Sequence, residues 1–153
     1  MPNLTQVLEA RVFVSPAQEL GEIGGGRRRI VPIVGGTVTG PRLTAEVLPG
    51  GADWQTIFPD GRTEVLARYT LRADDGTHIG VLNRGVRRGP PEVIRRLTAG
   101  EIVDPSEYYF RTAPVFEVAP GPHAWLLDYA FVGVGVRLPD CVLLKIYAVD
   151  MEG

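Results

Sequence analysis

The residues of this 153-residue chain whose chemistry goes beyond packing are few: Asp53 beside Trp54, Arg68 beside Tyr69, Tyr109 two residues before Arg111, and Trp125. A carboxylate can move a proton, and a guanidinium can hold a carboxylate or steady an enolate with its planar fork of donors. A phenol can donate a hydrogen bond, and aromatic faces can wall a pocket. Gathered around one cavity, they suit a small ligand bearing carbonyl, enol or carboxylate oxygens. Asp53, Arg68, Tyr109 and Arg111 are then the candidate catalytic groups, with Trp54, Tyr69, Asn83 and Trp125 as candidate substrate contacts. An opposing reading makes Arg68 and Asp53 a buried ion pair inside an ordinary aromatic core, and residue chemistry does not separate the two.

Other chemistries find weaker footing. "GEIGGGRRR" is glycine-rich, but a phosphate-cradling loop needs a helix behind it, and the residues that follow read as strand. The stretch reads instead as a mobile loop carrying a solvated cluster, Arg27 to Arg29. His78 and His123 stand apart with no acidic pair at ligand spacing, so no metal is expected. Ser15 and Ser106 lack a nucleophile-elbow context, and Cys141 is the sole cysteine. No cofactor is expected. A formal net charge of −2 gives no electrostatic case for nucleic acid or a membrane surface. With no signal-like N-terminus and no long apolar run, a cytoplasmic address is expected. Homo-oligomerisation is left open.

The elements that must position these groups are strands. The chain has 19 Gly and 13 Pro, about a fifth of its length against a usual share of roughly 12%, which implies many turns and many short elements. "RLTAEVLPG" alternates cleanly, with Leu43, Ala45 and Val47 on one face. "TEVLARYTLRADDGTHIGVLNRG" reads as a hairpin. Taking Asp75-Gly76 as a two-residue turn sets Arg68 opposite Asn83, on a face shared with Leu66, Val81 and Ile79. "PPEVIRRLTAG" carries helix start and stop signals, and "DPSE" resembles a capping box. "YYFRTAPVFEV", "AWLLDYAFVGVGVRL" and "CVLLKIYAVD" read as closing strands, while Pro49 to Gly61 reads as a loop. The expected architecture is all-β: residues 1–153 as one antiparallel β-barrel of about eight to ten strands with one short helix.

"GGADW", "ARYTL", "DDGTHI", "RGVRRGP", "YYFRTAPVFE" and "WLLDYAFVGVG", in this order, resemble the family catalogued as domain of unknown function 3237, or uncharacterised protein family 0311. The resemblance spans about Glu9 to Val149. It implies a compact antiparallel barrel and, since members occur among natural-product pathway genes, a small-molecule role. By position it picks out Asp53, Trp54, Arg68, Tyr69, Asp75, Gly76, Tyr109, Phe110, Arg111 and Trp125. Asp53 and Trp54 are then expected to close one end of the barrel, with Asp53 aimed at Arg68 or at a ligand. The function this suggests is a cofactor-independent lyase, isomerase or cyclase acting on a small oxygenated organic substrate. A non-catalytic binding or carrier barrel is the alternative.

Overall fold

Period-two alternation decides the architecture. Along Tyr109–Glu117 every second side chain, from Phe110 through Thr112 and Pro114 to Phe116, is buried, and the residues between are exposed. The computed structural model describes residues 1–150. It contains β1 (Leu4–Val14), β2 (Gln18–Ile23), β3 (Gly26–Thr39), β4 (Ala45–Val47), β5 (Gly51–Ile57), β6 (Arg62–Ala73) and β7 (His78–Arg88). The helix α1 (Pro91–Thr98) follows, then β8 (Tyr109–Glu117), β9 (Phe131–Arg137) and β10 (Cys141–Val149).

All pairings are antiparallel. The sheet runs β1-β10-β9-β8-β7-β6, passes through β4 and β5 to β3, and closes where β3 pairs with β1. β4 and β5 share one position in the wall: β4 covers β6 from Ala73 to Leu71, and β5 covers it from Arg68 to Thr63. Leu48, Pro49 and Gly50 bulge between them. The result is a closed antiparallel barrel of eight positions with β2 added outside β3 and one short helix, a size whose interior side chains nearly fill. The thinnest joint is β8 against β9, with only Arg111↔Val134 and Thr112↔Gly133 in register.

Each end is covered. At one, α1 starts at Pro90-Pro91, places Glu92 in its first turn and Arg95 and Arg96 in its last, and so suits its own dipole. Its buried Val93, Ile94 and Leu97 pack with Val65, Val103, Tyr108 and Phe110. At the other, a 3-10 turn, Ala124–Leu127, buries Trp125 and Leu126 in the main core. Phe131 makes edge contacts there with Phe116 (5.1 Å) and Trp125 (6.4 Å). His123 Nε2 lies 2.9 Å from Asp75 Oδ2 and ties this cap to the β6–β7 hairpin.

Four segments depart from the sequence reading. The β6–β7 loop holds three residues, Asp74, Asp75 and Gly76: Ala73 N–H donates to Thr77 O (2.8 Å), and Gly76 N–H donates to Ala73 O (2.9 Å). Gly76, at φ +90°, takes the left-handed position such a bulged turn requires. Arg68 therefore faces Leu82, and Asn83 faces Ala67. Second, Gly51–Ile57 is a strand rather than part of a loop. Third, the first half of "AWLLDYAFVGVGVRL" is the 3-10 cap, and only Phe131–Arg137 is strand. Fourth, "GEIGGGRRR" is a hairpin turning at Gly24-Gly25, and Arg29 is buried rather than solvated.

Candidate functional site in the barrel interior

Adjacent residues on a strand point to opposite faces, and this rule divides the residues singled out above. On β5, Asp53 faces inward and Trp54 outward; on β6, Tyr69 is inward and Arg68 outward. On β8, Tyr109 and Arg111 share the outer phase. The strands therefore turn Asp53, Tyr69 and Asn83 inward and Trp54, Arg68, Tyr109 and Arg111 outward.

The outer residues have partners of their own. The Arg68 side chain is 68% exposed, with Nη2 3.6 Å from Glu117 Oε1, so the expected Arg68–Asp53 pair does not form. The Arg88 and Arg111 guanidiniums lie 4.6 and 5.2 Å from the centre of the Tyr109 ring. Trp54 stands in an open groove on the outer wall with Arg28, Leu66 and Arg84. It walls no interior pocket and closes no end of the barrel. Trp125 belongs to the cap, where the Arg42 guanidinium sits 4.3 Å above its ring.

Inside, Asp53 is held by two donors. Its Oδ1 accepts the Leu66 backbone N–H (3.0 Å) and its Oδ2 accepts from Gln55 Nε2 (2.7 Å). Gln55 Oε1 accepts in turn from Arg29 Nε (2.9 Å). Since arginine only donates, this bond orients the Gln55 amide with its NH2 toward the carboxylate. Arg29 also donates from Nη1 to the Thr98 carbonyl at the end of α1 (3.4 Å) and lies 3.7 Å from Glu19 on β2. A relay thus runs from helix and rim through Arg29 and Gln55 to Asp53.

Asp53 and Gln55 line a cavity of about 40 Å³, whose other polar walls are Tyr69, Asn83, Thr112 and Arg137. Val12, Val31, Ile33, Val65, Phe110 and Leu144 are among its apolar walls. A second space of about 20 Å³ lies on the far side of Tyr69 and Asn83, toward Phe116 and Ile146. Close packing keeps the cavity small: a Cβ on Gly133 would lie 2.3 Å from Thr112 Oγ1, and one on Gly135 2.7 Å from the Phe110 ring. Asn83 Oδ1 and Thr112 Oγ1 are buried without a protein partner.

The electrostatics centre on charges the sequence reading did not place here. Arg29, Arg87 and Arg137 are all buried. Burial pushes the Asp53 carboxyl above its ordinary range, against the opposing pull of the Gln55 and Leu66 hydrogen bonds and the Arg87 and Arg137 charges. Burial also lowers the arginines, Arg87 to about 10, with the Asp53 charge acting in the other direction. The Tyr69 phenol is raised by burial and then by Asp53, so it stays a donor. Among the described residues no group of three or more His, Cys, Asp or Glu is placed to hold a metal ion. No helix there is long and apolar enough to cross a membrane.

A signal for the missed arginines exists. Arg29 is in phase with Val31 and Ile33, Arg87 with Val81 and Asn83, and Arg137 with Phe131, Gly133 and Gly135. A charge on the apolar phase of a strand is a buried charge.

A UPF0311 protein from Clostridium acetobutylicum is 46% identical over 125 residues, which cover 82% of this chain and 79% of that protein. A conserved protein of unknown function from Rhodopseudomonas palustris has a crystal structure that superposes with a TM-score of 0.94 at 41% identity, covering 97% of this chain and 98% of that one. An enzyme from Penicillium herquei shares the fold with a TM-score of 0.73 over 97% of this chain and 95% of its own, at 19% identity. The model of one family matches residues 2–149. By that match and by the identity with its relatives, the chain belongs to the family described as Protein of unknown function (DUF3237).

Proposed function

We propose that this protein is a cofactor-independent enzyme of the lyase, isomerase or cyclase type, moving a proton on a small oxygenated, natural-product-like substrate whose reacting end enters the barrel. Asp53 carries this reading. It is a carboxyl raised in proton affinity by burial, held by two donors, and set on the wall of an interior cavity. A carboxyl shifted toward neutrality exchanges protons with a substrate more effectively than a solvated one. The Leu66 and Gln55 bonds fix its orientation and leave it lone pairs for a substrate. Tyr69 and Asn83, on the same wall, are the hydrogen-bonding groups that would position the substrate oxygen. The cavity of about 40 Å³ admits a few heavy atoms, well short of the roughly 300 Å³ or more of a site enclosing a whole drug-sized ligand. The bulk of a larger substrate therefore stays outside unless an end opens. The fold also carries an enzyme in Penicillium herquei, so the architecture is compatible with catalysis.

A second reading, a non-catalytic binding or carrier barrel, is favoured by one observation: Asp53 already has two hydrogen-bond donors, as a structural carboxylate would. The two separate by exchange. A panel of small enolisable ketones and phenols in D2O, followed by NMR, should reveal a compound whose C–H exchange the protein accelerates. Asp53→Asn should slow that exchange by about a hundredfold or more while binding changes little. Full exchange in Asp53→Asn would end the catalytic reading. Tight binding with no exchange in either protein would establish the carrier.

A further inference from the structure

Three guanidiniums and one carboxylate share the interior near α1, and their pairing is incomplete. Arg29 is accounted for by Gln55, Thr98 and Glu19. Arg137 lines the cavity and uses only Nη1, toward the Leu138 and Cys141 carbonyls. Among the described residues its Nε and Nη2 make no hydrogen bond. Arg87 is 1% exposed, and its Nε and Nη2 are buried without a protein partner. Its guanidinium sits 5.2 Å from the centre of the Phe110 ring, which itself walls the cavity. None of the three lies within 4.0 Å of the Asp53 carboxylate. A buried guanidinium with unused donors is costly, and two of them near one carboxylate that has no ion-pair partner leave an excess of positive charge in a low-dielectric space. Such an arrangement is stabilised by an incoming anion.

We infer that the α1 end of the cavity is an anion subsite in which Arg137 contacts the ligand, backed by the field of Arg87, so that the substrate bears a carboxylate, phenolate or enolate oxygen close to the atom that Asp53 addresses. The inference deepens the proposed function and rests on it for the location of the ligand, but it does not require Asp53 to transfer a proton. Opposite charges facing one cavity without touching fit a ligand placed between them: the anionic oxygen takes the fork of Arg137, and Asp53 meets the neighbouring carbon or oxygen. Arg87 touches no ligand in this arrangement. It raises the local potential through the Phe110 layer, where water does not screen it.

Fluoroacetate and fluoroacetamide, similar in size and different in charge, test this in the full chain by 19F NMR. Fluoroacetate should broaden on titration with protein and sharpen again when acetate is added, while fluoroacetamide stays sharp. Arg137→Lys, which keeps the charge but loses the fork, and Arg87→Met should each weaken fluoroacetate binding tenfold or more. Arg68→Met, on the outer wall, should leave it unchanged. Wild-type protein provides a readout independent of how the variants fold: the 15N-detected Nε–H resonance of Arg137 should shift with fluoroacetate. Equal behaviour of the two probes, an unmoved Arg137 resonance, or broadening that survives both arginine variants overturns the proposal. Anion binding with exchange indifferent to Asp53→Asn would end the catalytic reading alone. Asp53-dependent exchange without preference for the anion would end this one alone.

Discussion

Both ends of the barrel are shut by a short helical segment laid over the opening, yet the layers beneath have opposite characters. Under the 3-10 turn lie Trp125, Leu126, Phe131 and Phe116, an apolar cluster with edge-to-face ring contacts. Under α1 a thin apolar layer, Val93, Ile94 and Leu97, sits close to Arg29, Arg87, Arg137 and the carboxylate they surround. The first end buries carbon and gains stability from it. The second buries charge, which costs stability and is retained where chemistry needs it. One barrel thus separates its foundation from its candidate site along a single axis, so the two should respond differently to mutation.

The largest effect is expected at the apolar end. Phe131→Ala removes a buried ring from aromatic contacts with Phe116, Trp125 and Tyr129 and should cost about 3–5 kcal/mol, read as a lowered midpoint in urea. Fluoroacetate affinity of the folded fraction should be unchanged. A loss of affinity comparable to the loss of stability would show that the ends are coupled and the separation false.

The next effect belongs to the charged end and has a definite sign. Burial raises the Asp53 carboxyl above its ordinary 3.8, so the native state holds that proton to higher pH than the unfolded chain does. Across the interval between the two values the native state binds more protons, and stability therefore falls as pH rises, levelling off above the folded value. Asp53→Asn removes the titration. Urea midpoints of wild type and variant should drift in the variant's favour as pH increases from about 4. A drift in the other direction would mean that the Gln55 and Leu66 hydrogen bonds outweigh desolvation.

The smallest effect is expected from Arg68→Met on the outer wall. Its contact with Glu117 is exposed on both sides, and such pairs contribute roughly 0–1 kcal/mol. A thermal melt should shift by little. A large shift would mean that the outer wall has a role in stability that the arrangement of its side chains does not explain.

How much of this was legible depends on which physical signal carried it. The all-β class, the helix after Pro90 and the strand containing Tyr109 rest on local periodicity and capping, and the structure contains all three. The hairpin register rests on turn geometry. A bulged three-residue loop and a two-residue turn share the same Asp-Gly signature, and the difference of one residue carries Asn83 from the face of Arg68 to that of Tyr69. Half of the site was visible as a list and not as an assembly. Asp53, Tyr69 and Asn83 meet in the cavity, but their sequence neighbours Trp54 and Arg68 were grouped with them by proximity along the chain, the one relation a strand guarantees to break. Arg29 reads as part of a solvated cluster with Arg27 and Arg28, Arg87 is masked by its neighbour Arg88, and Arg137 ends a strand whose inward phase is mostly glycine. Only the closure of the sheet brings positions so far apart in the chain together.

That closure also has a consequence in time. β1 pairs with β3 only from Glu9 to Val14, and its other edge is covered from Leu4 to Phe13 by β10, the last strand of the barrel to be synthesised. While the chain is being made, the first barrel strand must wait with an open edge until nearly all the others have formed. Contacts so distant in sequence form slowly, and an unpaired strand edge in the meantime is a template for other chains. The alternating charges of β1, Glu9 and Arg11 among its apolar residues, stand on the outward phase of that waiting edge, where they discourage the wrong partner before the right one arrives.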